Sequence, residues 1–205
     1  MRVVLLHAFP FEPAMWDAQA EALRGAGHAV FAPRLYDLPG DTMEEWGVAV
    51  EPELGVGAAL VGASMGGYLA LLLALRRPER VRGVGLVGAK ASGDTPERRA
   101  ARGEALRALA EEGAPPEVEA TADELARATR ALRDRADLDV GGLAVPLLVC
   151  VGTEDPIVPL AEAEALAASV AGAQLEVFDG GGHILTEDDP ARVTRLLLHW
   201  VERCT

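Results

Sequence analysis

Aromatic side chains make up only 4% of the 205 residues, too few to line a long cleft for a polymeric substrate. Cysteine is scarcer still. Cys150 lies inside a candidate central strand and Cys204 near the chain end, so two thiols build no disulfide framework and a reducing compartment is expected. The four histidines are scattered and form no Cys/His cluster, so no metal site is expected. The glycines at 62–67 match neither a phosphate-binding loop nor a dinucleotide fingerprint, which leaves no case for a nucleotide or other cofactor. Positive charge is in deficit. A formal net charge of −13 argues against nucleic acid and anionic membrane surfaces as partners and favours neutral or cationic small molecules. No signal peptide opens the chain, because Met1-Arg2 runs directly into a candidate strand, and the expected location is cytoplasmic. One uncharged run, Leu54 to Leu75, is long enough to cross a bilayer. Gly55, Gly57, Gly62, Ser64, Gly66 and Gly67 divide it into strand, turn and helix, so it reads as core.

What the chain does have is regular alternation. Strand candidates at Arg2–Leu6, Ala29–Ala32, Ala58–Val61, Val84–Val87, Leu147–Val151 and Leu175–Phe178 are separated by helical segments. That pattern gives an α/β fold, a mostly parallel sheet of about six strands with helices on both faces. Length allows one domain, residues 1–205, with a sizeable core and no linker to divide it. One segment interrupts the alternation. Residues 91–142 carry no strand signal, only two charge-rich helices, with starts marked by Thr95-Pro96-Glu97 and by the capping box Thr121-x-x-Glu124.

Gly62-Ala63-Ser64-Met65-Gly66 sets a serine between two glycines where an apolar strand meets an apolar helix. A G-x-S-x-G in that context is a nucleophile elbow, a turn tight enough to hold the serine hydroxyl out above the sheet. The bland alternative is a glycine-rich turn whose serine only caps the helix. Two later segments favour the catalytic reading. The strand ending at Gly152 delivers Thr153-Glu154-Asp155-Pro156, and the strand ending at Phe178 delivers Asp179-Gly180-Gly181-Gly182-His183. Carboxyl ends of parallel strands are where open α/β sheets build their sites. The chain order Ser64…Asp155…His183 is that of one known class of serine-acid-histidine enzymes. Glu154 and Asp94 are rival acids. His7 precedes a turn, while His28 and His199 lie where packing or surface roles suffice.

Gly62 to Lys90, GASMGGYLALLLALRRPERVRGVGLVGAK, resembles the serine elbow and following helix of the α/β-hydrolase superfamily, especially its enol-lactonases, small esterases and cofactor-free perhydrolases. His7-Ala8-Phe9-Pro10 is similar to that family's His-Gly-x-Pro turn, with Ala8 in place of the usual glycine. The resemblance implies an α/β-hydrolase fold with a small helical cap at about 91–142. It implies Ser64, His183 and Asp155 as the triad, because Gly152-x-x-Asp155-x-x-Val158-Pro159 follows the family pattern. It also implies that the backbone N–H groups of Phe9 and Met65 form the oxyanion hole. The expected activity is hydrolysis of small carboxylic esters or lactones. Perhydrolysis, carbon–carbon bond hydrolysis or a non-catalytic receptor on the same fold are the alternatives. Phe11, Met15, Trp16, Leu106, Val158 and Ile184 are candidates for the substrate pocket, although core packing accounts for some of them equally well. The chain is read as a monomer or homo-oligomer.

Overall fold

Alternate side chains along the strands enter two different cores, one on each face of the sheet. Val3 and Leu5 of β1 (Arg2–Leu6) join Ala59, Val61 and Ala63 of β3 (Ala58–Ala63) on one face, while Val4, Leu6 and Leu60 go to the other. This period of two, apolar on both faces, is what a sheet covered by helices on each side requires. The computed structural model describes residues 1–204.

In chain order the elements are β1, α1 (Asp17–Gly25), β2 (Ala29–Phe31), α2 (Met43–Val50), β3, α3 (Met65–Arg76), β4 (Val81–Val87), α4 (Pro96–Glu112), α5 (Ala122–Asp134), β5 (Leu147–Gly152), α6 (Leu160–Ala168), β6 (Gln174–Phe178), α7 (Leu185–Asp188) and α8 (Pro190–Glu202). The six strands form one sheet in the order β2-β1-β3-β4-β5-β6, and every pairing is parallel. Trp16, Leu23, Leu197 and Trp200 fill the face under α1 and α8, and Trp46, Leu69, Leu73 and Leu166 fill the other. The expected strands are all present, with β4 starting three residues earlier than predicted because Val81 and Gly83 still pair with β3. Pro13–Trp16 is a 3-10 turn leading into α1. The uncharged run ends up as core: β3 and α3 divide it, and no described helix is long and apolar enough to cross a membrane.

After β1 the chain moves outward to β2, then returns to the opposite side of β1 to form β3. The loops leaving β1 and β3 therefore diverge at their carboxyl ends, and a crevice opens there. Helix α3 passes directly across it. A Cβ on Gly66 would lie 2.1 Å from the Leu6 carbonyl oxygen, and one on Gly62 would lie 2.2 Å from the Gly66 carbonyl. Backbone meets backbone at both points, and no rotamer change relieves the contact.

The segment between β4 and β5 is unevenly attached. Helix α5 buries Leu125, Ala128, Thr129, Ala131 and Leu132 and is tied to the body by charge. Arg34, which also holds Glu12 at 2.7 Å, pairs with Glu124 in the capping box of α5, and Arg127 donates to the carbonyls of Tyr36, Leu38 and Gly40. Helix α4 has no fully buried residue and packs on α5.

Gly66→Ala is expected to lower stability by at least about 2 kcal/mol, because the new methyl group has no space. Gly103→Ala, on α4 with nothing within 4 Å of the added Cβ, should instead raise stability by about 0.5–1 kcal/mol through helix propensity. Urea midpoints of the two variants check both signs. A second expectation concerns acid. The Arg34 hydrogen bond, helped by the Thr121 N–H, holds the Glu124 carboxyl down to about 2. A depressed carboxyl pKa stabilises the fold above the unfolded value and loses that contribution as pH falls through the folded one. The stability gap between wild type and Glu124→Gln should therefore be full at pH 6 and should close as pH falls from about 4.5 to 2.

Candidate active site

Ser64 stands at the junction of β3 and α3 with φ 46° and ψ −109°, the one non-glycine residue at positive φ among those described. Such a backbone costs on the order of 1–3 kcal/mol and persists only where the surroundings fix it. Here the Ser64 N–H extends the sheet to the Val87 carbonyl at 3.0 Å, while its own carbonyl accepts from Gly67 and Tyr68 in the first turn of α3. The turn projects the hydroxyl over the carboxyl edge.

His183 reaches the same point from the other side of the crevice. The loop after β6 turns at Gly180, with φ +69°, and passes so close to the end of β5 that a Cβ on Gly152 would lie 2.0 Å from the Gly181 carbonyl oxygen. The Gly182 N–H is held by the Asp188 carboxylate at 2.7 Å. Gly88, at the end of β4, gives the histidine backbone its space, since a Cβ there would sit 2.4 Å from the His183 carbonyl. His183 Nε2 lies 2.8 Å from Ser64 Oγ, and Nδ1 lies 2.9 and 3.0 Å from the two carboxylate oxygens of Asp155. An ionised carboxylate only accepts, so Nδ1 carries the proton and Nε2 is left to accept from the serine hydroxyl. Asp155 is itself fixed. Its side chain is fully buried, and Oδ1 accepts from the N–H groups of Ile157 at 2.7 Å and Val158 at 3.0 Å.

The two rival acids lie elsewhere. The exposed Glu154 contributes only a backbone bond, to the Gly181 carbonyl. Asp94 is buried, with one carboxylate oxygen paired with Arg102 and the other 3.2 Å from Arg135. His7 is buried after β1, where Nε2 accepts from the Leu35 N–H at 2.8 Å and Nδ1 bonds the Ala8 carbonyl at 2.9 Å. Burial lowers its pKa, against the Ala8 bond, so it stays neutral and pins the turn that carries Phe9. His28 sits beside the N-terminal amine, and His199 is exposed on α8. Met65 opens α3, and the first-turn N–H groups of a helix have no acceptor within it.

A cavity of about 310 Å³ covers Ser64 and His183, walled by Phe9, Ile157, Leu132 and Arg135, and by Arg98, Ala101, Arg102 and Ala105 of α4. The six residues expected to line the pocket do not line this one. Trp16 is fully buried under α1, and Met15 packs at the edge of the same core with its Sδ accepting the Ala8 N–H at 3.2 Å. Val158 turns into the opposite core while its neighbour Ile157 faces the cavity, and Ile184 packs on the α1/α8 side. Phe11 and Met15 border a separate acidic cavity of about 610 Å³. Leu106 is rotated off the face of α4 that looks at Ser64, which runs through positions 98, 101, 102 and 105. That spacing is one helical stripe, yet it is written in arginine and alanine, so a search for apolar periodicity passes over it. A second, mostly apolar cavity of about 300 Å³ adjoins the first, sharing Phe9, Arg102 and Ala105 and adding Leu109, Val118 and Leu125. Nor does the overall charge predict the wall: three arginines line the site of a chain with net charge −13.

A family model described as the alpha/beta hydrolase family matches residues 3–196. The chain belongs to the alpha/beta hydrolase family. Among solved structures it is similar to a thermophilic esterase from Thermogutta terrifontis, with TM-score 0.89 and 28% identity over 100% of this chain and 90% of that one. The enol-lactonase from Burkholderia xenovorans LB400 matches with TM-score 0.80 and 25% identity over 98% and 91%. A pimeloyl-[acyl-carrier protein] methyl ester esterase from Aromatoleum aromaticum (strain DSM 19018 / LMG 30748 / EbN1) is 38% identical over 91 residues, 42% of this chain and 36% of that protein. The chain aligns with only 14% to 36% of the length of the curated relatives it matches.

Asp94→Asn is expected to destabilise the hydrolase fold by roughly 3 kcal/mol, because it leaves the buried Arg135 and its neighbour Arg102 without their shared carboxylate. A urea midpoint within error of wild type would show that this ion cluster contributes nothing.

Proposed function

We propose that the chain is a serine hydrolase of small carboxylic esters or lactones, with Ser64 as nucleophile, His183 as general base and acid, and Asp155 as the carboxylate that orients it. The observation that carries this reading is the continuous relay from Asp155 through His183 to Ser64, with links of 2.9 and 2.8 Å. A serine hydroxyl is a poor nucleophile at neutral pH and needs such a base. As Oγ attacks the ester carbonyl, His183 Nε2 takes the hydroxyl proton and Asp155 stabilises the imidazolium. The carbonyl oxygen becomes an oxyanion beside the N–H groups of Phe9 and Met65, at the positive end of the α3 dipole. Collapse expels the alcohol, which receives the proton from His183, and leaves Ser64 acylated. Water then attacks the acyl-enzyme with His183 again as base, releasing the acid and restoring the serine.

In this reading α4 and α5 form a cap over the reacting centre, and the stripe on α4 meets the substrate. The esterase and lactonase activities named for similar structures support the substrate class. The two unpaired, buried thiols fit a reducing compartment such as the cytoplasm.

A panel of short p-nitrophenyl esters, simple lactones and peracid formation from acetate tests the assignment, with a fluorophosphonate probe as an independent reporter of an activated serine. Ser64→Ala should remain folded and lose both probe labelling and ester turnover. Asp155→Asn should keep its fold and lower kcat by roughly 10⁴-fold, because His183 is then held in the wrong tautomer. Turnover near the wild-type rate in either variant would overturn the triad. Peracid formation that far outruns ester hydrolysis would move the protein to the perhydrolase reaction.

A further inference from the structure

The cavity over Ser64 holds more positive charge than the protein around it balances. Arg98, Arg102 and Arg135 all line it, and Asp94 is the carboxylate paired there, with both its oxygens already engaged by Arg102 and Arg135. Arg98 is half-buried and has no acid partner among the described residues. Arg135 is 6% exposed, and its Nε–H is buried without an acceptor. Burial lowers the proton affinity of Arg135, Asp94 opposes that, and the charges of Arg102 and Arg98 lower it further. Buried polar groups are nearly always paired, so Arg135 lines the cavity with part of its hydrogen-bonding capacity unused.

Local preference makes the arrangement more pointed. Arg98 is the third residue of α4, at the positive end of that helix dipole, where a cation is disfavoured. It also lies one turn from Arg102, a like-charge pair that weakens a helix. Departures of this kind from local rules are expected where function requires them.

We propose that the natural substrate carries a carboxylate, which sits against Arg98 and Arg135 while the ester or lactone carbonyl lies at Ser64. This rests on the hydrolase reading above. The planar guanidinium fork matches a carboxylate in geometry as well as charge. A cavity of about 310 Å³ is at the small end for ligand sites and holds a short half-ester of a dicarboxylic acid or a lactone bearing a carboxylate side chain. The negative surface then works as a filter: anions are repelled in general, and one fitting the cavity is held.

Two matched probes test this, p-nitrophenyl hydrogen glutarate and p-nitrophenyl 5-methylhexanoate, in which an isopropyl group replaces the carboxylate. Wild type is expected to show kcat/KM at least about tenfold higher for the glutarate ester. Arg98→Gln should lower that ratio by about tenfold and Arg98→Lys should retain part of it, and added salt should lower the wild-type ratio. A wild-type ratio of one or less, or a ratio unchanged in Arg98→Gln, overturns the proposal while leaving the hydrolase reading intact, provided that p-nitrophenyl acetate is turned over and the fluorophosphonate labels Ser64. Should neither ester nor probe react, the hydrolase reading fails, and glutarate itself decides on the anion site. A rise in Tm with free glutarate that Arg98→Gln abolishes supports it, and no rise overturns it.

Discussion

Helix α3 crosses the ends of β1 and β3 with no room for a single Cβ at Gly62 or Gly66, and the rest of the site follows from that contact. It forces the chain at Ser64 into its positive-φ turn, which projects the hydroxyl outward. It sets the start of α3 beside the Ser64 hydroxyl and brings the Phe9 turn, held by neutral His7, alongside. The same solution recurs across the crevice, where Gly152 and Gly88 let the histidine loop lie directly on the ends of β5 and β4. Precise spacing over Ser64, His183 and Asp155 thus comes from backbone contacts that side-chain motion cannot loosen, a rigid frame for groups that must meet within tenths of an ångström.

The parts legible in the sequence are those governed by local rules. Strand period, helix caps and glycine at strand ends all act over a few residues, and by themselves they put Ser64, Asp155 and His183 at the carboxyl ends of three strands. Local rules alone left Asp155 and Asp94 as rivals, and the family pattern around Gly152 chose Asp155; in three dimensions Asp155 meets His183, while Asp94 meets two arginines. The pocket was illegible for a different reason. Which side of α4 looks down on Ser64 depends on how α4 packs on α5 and on where α5 sits, and α5 is tied by Arg34 and Arg127 to loops more than 80 residues earlier in the chain. Proximity in sequence to a catalytic motif also misleads: Val158 is buried in the core, while its neighbour Ile157 lines the cavity.

Bulk charge says little about the cavity. A net value describes the surface as a whole, whereas a cavity wall is read by a ligand at contact distance with little water between. Three guanidinium groups in that wall, two of them paired with the buried Asp94 carboxylate, define the field inside, whatever the sum outside.

Helix α4 has no fully buried residue, although it supplies four residues of the wall over Ser64. The two tasks of the molecule are therefore carried by different parts of the chain. Folding rests on the sheet, α3, α5 and the glycine contacts, where almost any change is punished. On the proposed reading, selectivity rests on a helix most of whose side chains, Arg102 beside Asp94 excepted, can be exchanged with little effect on the fold. If that reading holds, a lineage, or a laboratory library confined to residues 96–112 other than Arg102, can travel far in substrate space while drawing little on the small stability margin that usually limits such change.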